Sequence, residues 1–196
     1  MNYGYACINE TLGAGPKKTR ITTNRSMIKR TFKERGIKYA SELALQNIHD
    51  LIKILAWNED NDIKFYRMSS DIFPWSSEYN YYDLPNYKEI KYWLRCAGDA
   101  ATKMGHRLTF HPGPFNCLAS PNFEVVEKTY KELNNHSRIF DMMGFEPSHY
   151  NKINIHVGGT YGDKDATAKR FIENFHRPGG LDENTKKRFT LENDDK

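Results

Sequence analysis

Arg107-Leu-Thr-Phe-His111-Pro-Gly113 and Lys152-Ile-Asn-Ile-His156-Val-Gly-Gly159 carry the fold in their spacing. Each is a short apolar run that ends on a histidine and turns at once through glycine. Lys187-Arg-Phe-Thr-Leu-Glu192-Asn-Asp194 stops on a carboxylate in the same way. Three strands that each end on a metal-binding residue type imply one rim of a parallel α/β structure, where such folds collect their chemistry.

Working outward, strands and long helices alternate. Tyr3–Ile8, 63–68, 106–110, 151–155 and 188–191 read as strands. Ala40, Leu43, Ala44, Ile48, Leu51, Ile52, Leu55 and Ala56 recur at helical spacing and predict a helix over 40–58. Further helices are predicted over 87–105, from a start at Ser120-Pro-Asn-Phe-Glu124 to Gly144, and over 165–175; Pro121 is acceptable in a first turn. The aromatic, Pro-rich segment 72–85 reads as irregular. Strands alternating with helices imply a parallel sheet. The alternation leaves the sheet closed or open, in a single domain over residues 1–196; five strands are visible, fewer than a complete (β/α)8 barrel contains.

Composition narrows the classes. The chain has 196 residues, 38% hydrophobic and 13% aromatic, with a mean hydropathy of -0.78. It lacks the run of about 18 apolar residues that a transmembrane helix needs. The N-terminus shows no signal-peptide pattern. Cys7, Cys96 and Cys117 match neither a disulfide framework nor a zinc motif, which points to a reducing compartment. An intracellular, soluble protein of cytoplasm or nucleus is expected. Charge is concentrated: Pro16 to Lys38 holds nine basic residues against Glu34, a net of +8, so the rest carries −4 of the overall +4. A basic loop over about 14–38 suits a polyanion through counterion release, or equally a solvated loop.

The strand ends offer Tyr5 and Asn9, then Asp71, His111, His156 and Glu192. Imidazole and carboxylate suit zinc, manganese or iron, whereas thiolates would have pointed to structural zinc. His111, His156 and Glu192 are the predicted ligands, with Asp71 either a further ligand or a turn cap. His106 starts its strand and belongs to the opposite end. His49 is placed on the polar side of its helix, and His136, His149 and His176 at the surface. Cys7 and Cys117 are expected to be small packing residues.

Seven motifs, in order, resemble one family, the UvdE-type UV-damage endonucleases: Gly4-Tyr5-Ala-Cys-Ile-Asn9 with Thr11-Leu12-Gly13, Thr22-Thr23-Asn24-Arg25, Asn47 to Asn58, Tyr66-Arg67-Met-Ser-Ser-Asp71-Ile-Phe-Pro74, Phe110-His111-Pro-Gly113, His156-Val-Gly-Gly159 with Tyr161-Gly162, and Leu191-Glu192-Asn-Asp194. The resemblance implies a TIM-type (β/α)8 barrel, here only about its first five strands, and a DNA-repair endonuclease that nicks 5′ to UV photoproducts in double-stranded DNA by metal-activated hydrolysis. Manganese is the first choice of metal, with zinc and magnesium as alternatives. It places His111, His156 and Glu192 on metal positions and Asp71 in a region that supplies another. Tyr5 and Asn9 fall on the DNA groove. Arg25 in the basic stretch, with Pro114 and Phe115, is also assigned to DNA. The family usually places Gln and an aromatic where Pro114 and Phe115 stand, so the side-chain hydrogen bond is lost and the ring retained. The family also continues beyond five strands with further ligands, so a partial metal site is expected, in a fragment or a shortened product. A metal-dependent sugar isomerase or epimerase on the same barrel, and a catalytically inactive DNA-binding remnant, are the alternatives. A monomer without membrane contact is expected.

Overall fold

The computed structural model describes residues 3–192. Asn193 and Asp194 of the third strand-end motif lie outside the described residues. Five strands form one sheet, β1 (Gly4–Ala6), β2 (Phe65–Met68), β3 (Arg107–Phe110), β4 (Ile153–His156) and β5 (Phe189–Glu192), in the order β1-β2-β3-β4-β5. Every neighbouring pair is parallel. Six helices connect them: α1 (Glu10–Gly13), α2 (Lys29–Asp60), α3 (Tyr87–Lys103), α4 (Phe123–Met143), α5 (Lys164–His176) and α6 (Glu183–Arg188). Sequential strands lying side by side in parallel, each joined through helix, form the five-strand part of the predicted barrel.

Strand alternation sorts the side chains. Tyr66, Met68, Leu108, Phe110, Ile153 and Ile155 point to the helical layer and are at most 1% exposed. They meet Leu51, Ile54 and Leu55 of α2, Leu94 and Ala97 of α3, and Leu133 and Phe140 of α4 in one apolar cluster. Each such side chain contributes roughly 1.5–3 kcal/mol by leaving water. The other face is concave and carries Gly4, Phe65, Arg67, Thr109, Lys152 and Asn154. Gly4 has no alternative residue, because a Cβ there would sit 2.3 Å from the Phe65 ring.

The helix ends follow local chemistry. The Asn122 side chain accepts from the Glu124 N–H at the start of α4, and Gly144 ends that helix with φ 83°. Asp163 accepts from the Ala166 N–H at the start of α5. These side chains satisfy backbone N–H groups that the first turn leaves unpaired.

The basic stretch departs from the expected loop. From Lys29 onward it is helical, and α2 is broken at Gly36, whose φ of 61° interrupts the helix before the apolar stripe begins. The remaining loop is pinned to α2. The Thr22 N–H donates to Asp50 Oδ2, the Arg25 N–H donates to Asn47 Oδ1, and Asn47 Nδ2 donates back to the Arg25 carbonyl. Segment 72–85 contains two 3-10 turns, Ser76–Glu78 and Tyr81–Asp83, and sends Phe73, Tyr79 and Tyr81 into the core.

Short helix α6 was not foreseen. It is fixed by Arg188, fully buried, which donates to Ser137 Oγ and Asp141 Oδ1, each at 2.7 Å, and to the Phe145 carbonyl at 2.6 Å. His136 is not at the surface: it is 2% exposed, edge-on to Phe110, with Nδ1 donating to the Glu132 carbonyl. His49 is half-buried, packed edge-on to Trp93 at 5.0 Å between α2 and α3. No helix among the described residues is long and apolar enough to cross a membrane.

Candidate metal centre

Three strand ends build the site. His111 follows β3, His156 is the last residue of β4, and Glu192 is the last of β5. Register sets them side by side: His156 is paired with Glu192 across β4 and β5. One donor atom from each of the three lies within 4.8 Å of the others. His111 Nε2 and Glu192 Oε2 are 3.1 Å apart, and the two imidazole centres are 4.9 Å apart. Ligand bonds to a divalent ion are about 2.0–2.2 Å. Donors this close need only small side-chain rotations to share one ion, so the residues fit a metal.

The carboxylate is oriented from behind. Asn154 Nδ2 donates to Glu192 Oε2 at 2.8 Å, and Thr190 Oγ1 donates to Asn154 Oδ1 at 2.8 Å. The bond to His111 holds the Glu192 carboxyl below its ordinary pKa, with help from Asn154 and the nearby imidazoles. It is therefore an anion at neutral pH, as a ligand must be. Asn154 and Thr190 were not singled out in the sequence. The signal was there: Lys152, Asn154 and His156 occupy alternate positions and so share one face of β4.

Beneath the rim lies a cavity of about 400 Å³, lined among others by Tyr5, Arg67, Thr109, Lys152, Asn154 and Glu192. The Arg67 guanidinium and Lys152 ammonium have no ion-pair partner among the described residues. The floor of the site is thus cationic, while its rim holds the carboxylate.

The other predicted residues are placed differently. Asp71 stays outside the three-residue cluster. It is exposed, its N–H donates to Ser69 Oγ in a 3-10 turn, and its carbonyl accepts from Asn47. Arg25, assigned to DNA, is used internally: it pairs with Asp50 at 2.6 Å and donates to the Thr22 and Arg20 carbonyls. Asn9 is 5% exposed and caps α1 by accepting from the Leu12 N–H, while its Nδ2 donates to the Tyr5 hydroxyl. That hydroxyl donates in turn to Asn58, and burial pushes the phenol up from its ordinary pKa. Pro114 and Phe115 are exposed on the loop after β3. The Asn116 N–H and Nδ2 both donate to the Gly113 carbonyl at 3.1 Å, closing a turn that leaves Phe115 90% exposed at its tip.

A parallel strand–helix array with imidazole and carboxylate donors on its C-terminal rim defines a barrel-type α/β protein with a candidate metal site. The sequence matches the UV-endonuclease UvdE family over residues 1–196, and the chain belongs to that family. It is 38% identical over its whole length to a putative UV-damage endonuclease of Acanthamoeba polyphaga mimivirus, covering 57% of that protein. It is 36% identical to the UV-damage endonuclease of Schizosaccharomyces pombe, with 98% of this chain and 31% of that protein aligned. The crystal structure of SacUVDE superposes with a TM-score of 0.84 at 31% identity, over all of this chain and 62% of the other. The chain therefore spans between about a third and three fifths of these relatives. The expected partial barrel matches part of the SacUVDE fold.

Proposed function

We propose that this chain carries the metal-binding half of a DNA-repair endonuclease that nicks the phosphodiester 5′ to UV photoproducts. The observation that carries the reading is the convergence of His111, His156 and Glu192 on one rim of a UvdE-family barrel. These three would hold a divalent ion, manganese before zinc or magnesium. Bound there, such an ion supplies Lewis-acid stabilisation of a phosphoryl oxygen and an acidified water.

The chain's own residues supply the remainder. Asn154 and Thr190 keep the Glu192 carboxylate aimed at the rim. Phe115 presents its ring to a base; stacking of this kind contributes about 1–3 kcal/mol per base. Lys17, Lys18, Lys29, Arg30, Lys33 and Lys38 stay exposed and meet backbone phosphates. Damaged, weakly stacked bases cost less to extrude, which favours lesions over intact duplex.

Irradiated and unirradiated supercoiled plasmid, incubated with the chain and manganese, tests the proposal. Nicked circles that need irradiation and vanish with chelator support it. Salt-dependent binding without nicking at any metal concentration reduces the chain to a binding remnant. A lack of DNA binding returns the site to the sugar-isomerase alternative.

A further inference from the structure

Tyr161 has no part in the ligand set, yet it is held in an unusual backbone conformation five residues after His156. It lies in the loop Gly158-Gly-Thr-Tyr161-Gly162 that leads from His156 to α5. Its φ is 51°, in the left-handed region that a tyrosine rarely adopts. Such residues persist where their surroundings hold them and cluster at ligand contacts. Two neighbours hold this one. Its hydroxyl lies 3.4 Å from Cys117 Sγ, and the Arg170 guanidinium carbon lies over the ring, 5.6 Å from its centre. Arg170 is itself fixed, donating to the Ala119 carbonyl at 3.0 Å and to Thr167 Oγ1 at 3.1 Å. Tyr161 nevertheless remains 50% exposed. A large apolar ring is thus immobilised in solvent.

The loop also touches the one that carries Phe115. Cys117 follows Phe115 by two residues, and a Cβ at Gly158 would sit 2.8 Å from Cys117 Sγ. The loops after β3 and β4 are therefore in van der Waals contact. Each bears one metal-ligand candidate at its base and one exposed aromatic ring. Both rings are open to solvent on loops that leave the rim.

We propose that Tyr161 is a second stacking platform for DNA, which receives an unstacked base beside the lesion while Phe115 engages the lesion itself. The inference rests on the repair reading above and adds a residue to its substrate contacts. The cation at Arg170 and the bond to Cys117 pre-organise the ring, so little rotamer entropy is lost on binding.

The probe is a duplex oligonucleotide with one thymine dimer and 2-aminopurine at the neighbouring nucleotide. Wild type and Tyr161→Phe, which keeps the ring, are expected to bind within about twofold of each other. Tyr161→Leu is expected to bind about tenfold more weakly, the scale of one lost base–aromatic stack. Bound-state 2-aminopurine emission should be lower with wild type and Tyr161→Phe than with Tyr161→Leu, because stacking quenches it. Equal affinity and emission for Tyr161→Leu overturn the platform and leave the repair reading standing. A thermal midpoint that falls markedly in Tyr161→Leu shows a purely structural ring and also overturns it. Failure of wild type to bind the damaged duplex overturns the repair reading and this inference together.

Discussion

The two faces of the sheet are made from alternate residues of the same strands, yet they differ in almost every physical respect. Leu108, Phe110, Ile153 and Ile155 are covered by helices and are at most 1% exposed. Their neighbours Arg67, Lys152, Asn154, Thr190 and Glu192 face a polar cavity or the rim above it. Burial stabilises the first set. The second set gains little from burial and includes two half-buried cations without ion-pair partners among the described residues. One face holds the sheet in shape so that the other can present donors at fixed spacing, a division that pre-organised sites require.

The sharpest way to break this comparison is on the covered face. Phe110→Ala is expected to lower stability by about 3–5 kcal/mol through lost transfer energy and a cavity beside His136 and Phe140. Urea unfolding followed by circular dichroism measures it, and a loss under about 1 kcal/mol would show that the helical layer does not support the strand. On the rim, His111→Ala should weaken manganese binding by about a hundredfold or more while leaving the unfolding midpoint near wild type. Manganese titration followed by electron paramagnetic resonance reads the affinity, and unchanged affinity would remove His111 from the site.

Asn154→Ala tests the orienting layer. Loss of its bond to Glu192 should cost about 10–100-fold in manganese affinity, typical for groups that position a ligand. A pH comparison separates the faces further. Burial holds the His136 imidazole below its ordinary pKa of 6.5. The fold's contribution from a neutral His136 is therefore complete above that value. It is lost as pH falls towards the depressed folded value, because the unfolded chain takes up a proton that the fold refuses. His136→Leu should flatten the decline in thermal midpoint between pH 7.5 and 5, with His106, also lowered by burial, supplying what remains. An identical decline in both proteins would refute the assignment. Smallest of all, Arg67→Gln on the cavity floor should change stability by no more than about 0.5 kcal/mol, since it breaks no ion pair among the described residues.

Much of the architecture was legible from periodicity. The stripe from Ala40 to Ala56, the Gly144 stop of α4, and the apolar runs before His111 and His156 all announce local structure through neighbouring residues, whereas α4 starts after the Asn122 cap and leaves Pro121 outside its first turn. What escaped were features whose partners lie far along the chain. Arg25 reads as a surface cation until Asp50 is brought against it. His136 reads as a polar helix residue until Phe110 of β3 covers it. Arg188 looks like the solvated start of a strand, but Ser137, Asp141 and Phe145 enclose it. Asp71 shares the strand-end position of the ligands, but the turn that follows β2 keeps it out of their cluster.

The amino-acid order by itself determined the alternation of strand and helix, the residue types at the strand ends and the family motifs, because each depends on short-range spacing. Only the tertiary structure decided which of those strand-end groups share a centre. Parallel register between β4 and β5 sets His156 opposite Glu192, and the 3.1 Å approach of His111 completes the group across a separation of 81 residues. Sequence spacing cannot encode that distance, since it arises from how helices packed on one face dispose the strands of the other.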